Sequence, residues 1–536
     1  MKFEDQIERN VYLRKLAIGE MSGPLTGYPD QDKVWLKYYS EEAVKSNLPE
    51  FTIYDYFMKS TQNYDKLIAL KYYGTKITYK KLKDKIDETA KRLTKIGVRS
   101  GEIVTLAMPT CPETVYFFYA LNKIGAVANF IHPLSNPKEF KHLINEVNTK
   151  HLIAFDGAME NIGKIIDETN VQKIVTCSPS YSMPFFLRKY INYKSKPFKG
   201  NGAKYMDYKT FRALNIEGIC EYKAEYIPDE LAVMTHTSGT TGVPKGAKLT
   251  NDNFNAMVHQ YESTIDSIKR GDNIVTVLPM NIGFGLCNNM HMPLRMGVNL
   301  VLHPTFNPMD IYPLFKKYNP STFMAIAPYF KGMMKDKRFD NIKLSNLKEV
   351  CYGGEAMTFE EIKQFNEWLM NHGADTVIKN GYGMNELISS AAYEHYVGDG
   401  QYRTIPLVNS NIKIVKVDFD KEGNVIRSDV ELNRGEEGEI CLTSPTLSKG
   451  YLNNKEATDE IFRVHSDGIR WIHTGDYGKI IDKQLYITGR IKESIHLRNG
   501  EKISAEEVKK LYAKVADIDS EYTIIGITQD GYDDIC

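Results

Sequence analysis

Residues 231–250 read LAVMTHTSGTTGVPKGAKLT, an apolar run opening into four hydroxyls, two glycines, a proline and a lysine within Thr237–Lys245. LAVMTH has the make-up of a buried strand. A Ser/Thr/Gly loop leaving such a strand brings backbone N–H groups close to an anion, because glycine presents no Cβ and hydroxyls add donors. Lys245 supplies the point charge a polyphosphate needs. The spacing is not that of a Walker A loop, which would put glycine where Pro244 stands when counted from Gly239. Pro244 instead stiffens the loop's exit. A flexible linker is the bland alternative, but linkers rarely end in Pro-Lys-Gly between a strand and a helix.

Outward from this loop, strand and helix patterns alternate. KLKDKIDETAKRLTKIG (81–97) and CPETVYFFYALNKIG (111–125) have helical spacing, while IVTLAM (103–108), VANFIH (127–132), HLIAF (151–155) and KIVTC (173–177) read as short strands. After the loop, NIVTVLP (273–279), STFMAIA (321–327), KEVCYGG (348–354) and DTVIKN (375–380) are strand-like, with a helix at FEEIKQFNEWLMN (359–371). This alternation predicts parallel sheets covered by helices. Hairpin spacing takes over at NIKIVKV (411–417), GEICLTS (438–444) and KIIDKQLYITG (479–489), predicting a β-rich part.

The 536 residues carry 68 Lys+Arg against 68 Asp+Glu, which argues against a dedicated nucleic-acid binder. Seven single cysteines without a CxxC pair predict a reducing compartment and neither a disulfide framework nor a zinc site. The N-terminal residues lack a signal-peptide core and no segment reaches eighteen uninterrupted apolar residues, so the expected location is cytoplasmic. One stretch stands apart. Between Glu168 and Asp207 there is no acidic residue, yet seven basic ones are interleaved with aromatics across 183–199 and its flanks. A solvated surface insertion and a peripheral membrane contact both fit it.

The loop resembles the phosphate loop of the adenylate-forming (AMP-binding) superfamily, which includes acyl-CoA synthetases such as fatty acid–CoA ligases, nonribosomal peptide adenylation domains and beetle luciferases. NGYGMNE (380–386), YGGEAM (352–357), GEICLTSPTLSKGYLNNKEAT (438–458), WIHTGDYG (471–478) and GRIKESIHLRNGEKISAEEV (489–508) resemble further segments of the same family, in order, over about residues 50 to 527. The resemblance implies an α/β fold: a large N-terminal domain of stacked mixed and parallel sheets over 1–490, with a small β-rich subdomain from about 405. Residues 491–536 would begin a partial α+β C-terminal domain that is mobile.

It also implies roles. Thr237, Ser238, Gly239, Thr240, Thr241, Gly242 and Lys245 would hold the ATP phosphates, and Glu386 with Thr240 would carry Mg²⁺. Lys245, Glu386 and Asn385 would serve the chemistry. Tyr382 would stack on adenine, lined by Gly354, Glu355 and Ala356. Asp476 would accept from the ribose hydroxyls with Arg490 nearby, although an Asp–Arg ion pair is the structural alternative. Lys492 would be the hinge. Ile282, Phe284, Gly285, Gly353 and Gly383, with Met290, would line the acyl pocket.

The chain departs from the family pattern at several points. Asn385 stands where threonine is usual, Ile282 where a polar gate is common, and Ala505 where proline is usual. The Pro-Lys-Thr-x-x-Gly-Lys segment carrying the family's adenylating lysine does not occur before Cys536. The sequence therefore reads as a truncated chain with impaired adenylation. With no acid placed to bind an amino group, an α-amino acid is disfavoured. The implied function is ATP-dependent activation of a medium- or long-chain fatty acid to an acyl-adenylate, then transfer to coenzyme A. An aryl acid is the second substrate class. The alternatives are a fatty acyl-AMP ligase loading a carrier protein and a non-catalytic adenylate-binding protein.

Overall fold

A computed structural model of the chain describes residues 25–194, 198, 200, 202–237, 244–304, 310–396, 402–420, 424–481 and 483–496, with the short strands at 502–504, 526–529 and 532–535. The chain divides into two compact units. Among the described residues, one comprises those within 46–391 together with 445–455; the other comprises those within 25–45, within 392–444 and from 456 onward. The hinge-side residues beyond 496 fall largely outside the described residues.

The first unit holds two sheets. One runs in the order Tyr205–Asp207, Lys173–Cys177, His151–Phe155, Ile103–Ala107, Val127–Phe130, Leu231–Thr237, Lys245–Thr250. Every pairing in it is parallel except the last. The loop that opened the sequence reading is thus carried by an antiparallel hairpin, not by a strand that passes straight into a helix. The helix Asn251–Glu262 starts only after the second strand, where Thr250 and Asn253 form a reciprocal cap.

The other sheet includes Ile378–Gly383, Glu349–Gly353, Thr322–Ala325, Asn273–Thr276, Asn299–Leu302, Ile68–Tyr72 and Thr75–Thr78 in that order. The pairings among these seven strands are parallel up to the closing hairpin, and the sheet continues past Ile378–Gly383 into the antiparallel pair Ser390–Tyr396 and Tyr402–Pro406. The expected helix at 359–371 is present as Phe359–Asn371, capped by Thr358 and Glu361. Pro112–Lys123 is buried along its whole length, as an apolar helix in the interior must be. Tyr119 on that helix meets His291 Nδ1 at 2.9 Å, joining it to the π-helical turn Phe284–His291.

The second unit is built on an antiparallel sheet ordered Val425–Glu431, Asn411–Phe419, Gly438–Thr443, Arg470–Ile481, Phe462–Val464, with Gln484–Arg490 paired to Arg470–Ile481. This is the β-rich part read from the hairpin spacing. Among the described residues, no helix is long and apolar enough to cross a membrane.

Candidate functional site

Parallel strands deliver ligand sites at their carboxyl ends. In the second sheet of the first unit, Glu349–Gly353 and Ile378–Gly383 are neighbours with Gly353 opposite Gly381. Gly354, Glu355 and Ala356 therefore emerge beside Tyr382. Gly354 takes φ +80°, a conformation that a side chain would strain. Gly354, Glu355 and Ala356 are exposed and Tyr382 is half-buried.

Just beyond, Leu387–Ser389 forms a tight turn in which the Ser389 N–H donates to the Leu387 carbonyl at 2.7 Å. Its central residue, β-branched Ile388, sits at φ +65°, a strained backbone state. The Ile388 carbonyl would lie 1.8 Å from a Cβ on Gly283, and the Ser389 carbonyl 2.0 Å from one on Gly383. A Cβ on Gly285 would meet the Pro279 carbonyl at 2.0 Å. Gly285 and Gly383 are thus small because backbone fills the space beside them. The Phe284 ring, by contrast, lies 3.5 Å from the Cβ position of Gly353, so these two meet. Ile282 is half-buried one turn away and Met290 is fully buried.

Asn385 and Glu386 occupy the turn between the strand and Ile388. The Asn385 Oδ1 accepts from the Gly283 N–H at 2.9 Å, which fixes the amide's orientation. Its buried Nδ2 finds no acceptor among the described residues. Glu386 is buried, its carboxylate accepts the Tyr451 hydroxyl, and its carbonyl accepts the Ser448 N–H at 2.8 Å. The Tyr451 ring in turn lies 5.4 Å from Lys245 Nζ. Backbone bonds from Leu452 to Gly246 and from Lys248 to Gly450 hold this stretch against the loop's hairpin. Tyr451 thus links Glu386 and Lys245, a role the sequence did not disclose. Its only signal was the Lys-Gly-Tyr run at 449–451.

Thr237 ends the first hairpin strand and Lys245 begins the second, paired across it. Ser238, Gly239, Thr240, Thr241 and Gly242 lie outside the described residues. His236 beside Thr237 is neutral, since burial pushes its pKa down to about 4, and its Nε2 meets Asn129 Oδ1 at 2.7 Å. Next to Lys245 opens a cavity of about 780 Å³, lined among others by Lys138, Lys141, His142, Glu146 and Asn453. Burial raises the Glu146 carboxyl to about 7, which weakens its claim on the neighbouring cations near neutral pH. Sequence reading missed these helix residues, which show only as basic side chains at i and i+3.

In the second unit, Asp476 and Arg490 face each other across the Arg470–Ile481 and Gln484–Arg490 strands, Oδ1 to Nε 2.9 Å. Asp476 is buried, whereas the Arg490 side chain is 56% exposed. Lys492 lies exposed in the short helical turn Ile491–Glu493. This unit also gathers Cys441, His465 and His473, whose ligating atoms lie within 4.8 Å of one another. Hydrogen bonds account for part of the group: His473 Nδ1 meets Glu439 at 2.8 Å and the two histidine Nε2 atoms are 3.0 Å apart, while the buried His465 Nδ1 finds no partner among the described residues. Burial, then the nearby Arg427, Arg463 and Lys413 cations, lower His473 to about 3.

Residues 57–452 match the family model described as AMP-binding enzyme. The chain belongs to the AMP-binding enzyme family. Within that family it is 27% identical over 478 residues to a long-chain-fatty-acid–CoA ligase of Escherichia coli O157:H7, covering 86% of this chain and 81% of the relative. Two solved structures share the fold. The anthranilate CoA ligase AuaEII in complex with anthranoyl-AMP superposes with a TM-score of 0.73 at 20% identity, over 90% of this chain and 86% of that one. A long-chain-fatty-acid-CoA ligase (FadD1) from Archaeoglobus fulgidus gives 0.70 at 18%, over 90% of both chains.

Proposed function

We propose that the chain activates a medium- or long-chain fatty acid with ATP and passes the acyl group to coenzyme A. The observation carrying this reading is the chain of contacts from Lys245 through Tyr451 to Glu386, with the unsatisfied Asn385 amide on the adjacent residue. It puts a cation and a carboxylate on one tyrosine, with a donor that lacks an acceptor on the residue next to the carboxylate. In the first half-reaction a carboxylate oxygen of the acid bonds to the α-phosphorus of ATP and the bond to the β-phosphate breaks, releasing pyrophosphate. In the second, the thiol sulfur bonds to the acyl carbon, AMP leaves with the electron pair, and the thiol proton is lost.

This chemistry rests on positioning and charge neutralisation. Lys245 would offset charge on the β- and γ-phosphates, with Thr237, Ser238, Gly239, Thr240, Thr241 and Gly242 donating from the loop. Asn385, its oxygen held by Gly283, would turn its N–H groups to the α-phosphate. Glu386 and the Thr240 hydroxyl are hard oxygen donors of the type Mg²⁺ prefers, so Glu386 would hold that ion. Mg²⁺, when bound, would offset phosphate charge. Tyr382 and Gly354–Ala356 would receive adenine, and Asp476 the ribose. Lys492 would be the pivot for the residues that follow it. Phe284 and Gly353, together with Ile282, would form an apolar wall suited to an alkyl chain, and the basic cavity beside Lys245 would suit the phosphates of coenzyme A. The cytoplasm is the compartment we assign, in keeping with six unpaired cysteines among the described residues.

The test is binding of acyl-sulfamoyl adenosines, from acetyl to palmitoyl, to the full chain. Affinity rising with acyl length supports the reading; well-folded protein that binds none of them refutes it.

A further inference from the structure

We propose that the helix Phe185–Lys194 docks the protein on an anionic phospholipid bilayer, from which the acyl substrate is collected; the second half rests on the function proposed above. None of this helix's ten residues is buried. Phe186, Tyr190 and Tyr193, at i, i+4 and i+7, share one face, and Phe186 and Tyr193 are 83% and 84% exposed. Lys189 and Lys194 flank that face. Leu187, Ile191 and Asn192 point the other way and are half-buried. Polar contacts secure this underside: Ser180 Oγ donates to Asn192 Oδ1 at 2.7 Å, and in the preceding loop Ser182 Oγ donates to the buried Glu113 at 2.6 Å.

A helix on a protein surface ordinarily turns its rings inward. Here the body holds the helix through Leu187, Ile191 and Asn192 and leaves the rings of Phe185, Phe186, Tyr190 and Tyr193 in water. Cations pack beside the rings, Arg188 5.8 Å from the Phe185 ring and Lys194 5.2 Å from the Tyr190 ring. Cations beside exposed rings suit the boundary between acyl chains and charged headgroups. Ten residues span about 15 Å, too short to cross a bilayer and long enough to lie on one. The charge settles the kind of surface. No Asp or Glu occurs between Glu168 and Asp207, while seven Lys and Arg do, in a chain whose net charge is zero. Such a segment complements anionic lipid and is repelled by a basic partner.

Co-sedimentation of the full chain with phosphatidylcholine vesicles and with mixed phosphatidylcholine–phosphatidylglycerol vesicles tests this. The expected result is at least about tenfold stronger partition onto the anionic vesicles. F186S/Y193S should lower that partition about tenfold or more, and K189E/K194E should abolish the preference for anionic lipid. Both variants should bind acyl-sulfamoyl adenosine like the parent, which checks their folding. With active protein, both should raise KM for a fatty acid supplied in vesicles and leave KM for a water-soluble short acid unchanged. A parent indifferent to phosphatidylglycerol, or variants that partition like the parent, would overturn the proposal. So would self-association that disappears in F186S/Y193S without vesicle binding, which would assign the face to a second copy. Vesicle binding by a chain that ignores every adenosine compound would leave the lipid contact standing and reject the site reading instead.

Discussion

Asp476→Ala separates a structural ion pair from a ligand contact, and the geometry sets the two magnitudes far apart. Asp476 meets Arg490 at 2.9 Å, but the arginine side chain is more than half in water. A pair so exposed on one side contributes about 1 kcal/mol or less, so the variant should lose little stability. Arg490 would simply be rehydrated. If the carboxylate receives two ribose hydroxyls, each charge-assisted bond is worth about 1.5–3 kcal/mol, and their removal together costs about 3 kcal/mol or more. That is about a hundredfold or more in Kd. Titration calorimetry with a long-chain acyl-sulfamoyl adenosine reads the loss directly. A 2′-deoxy analogue supplies the control: it should bind the parent more weakly than the ribose form and bind Asp476→Ala about equally well. A shift below about fivefold in well-folded Asp476→Ala, or an undiminished penalty for the 2′-deoxy compound, would refute the ribose role and leave only the ion pair.

Asn385→Ala should slow acid-dependent ATP–pyrophosphate exchange by about ten- to a hundredfold, while Asn385→Thr retains most of it; equal rates for alanine and parent would dismiss the amide. Gly383→Ala puts a methyl 2.0 Å from the Ser389 carbonyl, so urea unfolding should show a loss of about 1–3 kcal/mol, with an unchanged midpoint as the contrary result. Glu113 is buried and burial raises its carboxyl to about 7, so folding favours the protonated acid. The stability it contributes is fully present below the unfolded value near 4.5 and is lost as pH rises through about 7. Glu113→Gln, which keeps an acceptor for Ser182, should therefore gain on the parent by on the order of 2 kcal/mol between pH 6 and 8. A gain independent of pH would contradict that origin.

Much of the architecture was legible because local pattern and tertiary burial agree. Phe359–Asn371 carries its own capping box, and the parallel strands are short apolar runs at regular intervals. The Lys245–Thr250 strand was not legible: KGAKLT has weak strand propensity, and only its pairing with Leu231–Thr237 makes it one. The outward rings of Phe185–Lys194 escaped for another reason. Helical spacing predicts which residues share a face but not which way the face turns. At the candidate site the glycines could be found by motif. That Gly383 and Gly285 make room for carbonyls, and that Gly353 lies beside both the Gly381 carbonyl and the Phe284 ring, depends on contacts between residues distant in sequence.

The return of Pro445–Lys455 to the first unit has a bearing on how the protein is made. Glu386 and the hairpin at Lys245–Thr250 are both fastened by Ser448–Leu452, a piece of chain some two hundred residues downstream of the hairpin. A ribosome that has finished the whole run 46–391 has therefore produced two sheets whose edge at Lys245 still lacks its brace. The intervening residues 392–444 must be synthesised before Tyr451 can reach Glu386. Nascent chains halted shortly before 445 should hold both sheets with an unbraced mouth, and ATP retention should begin only once this clasp has emerged from the exit tunnel.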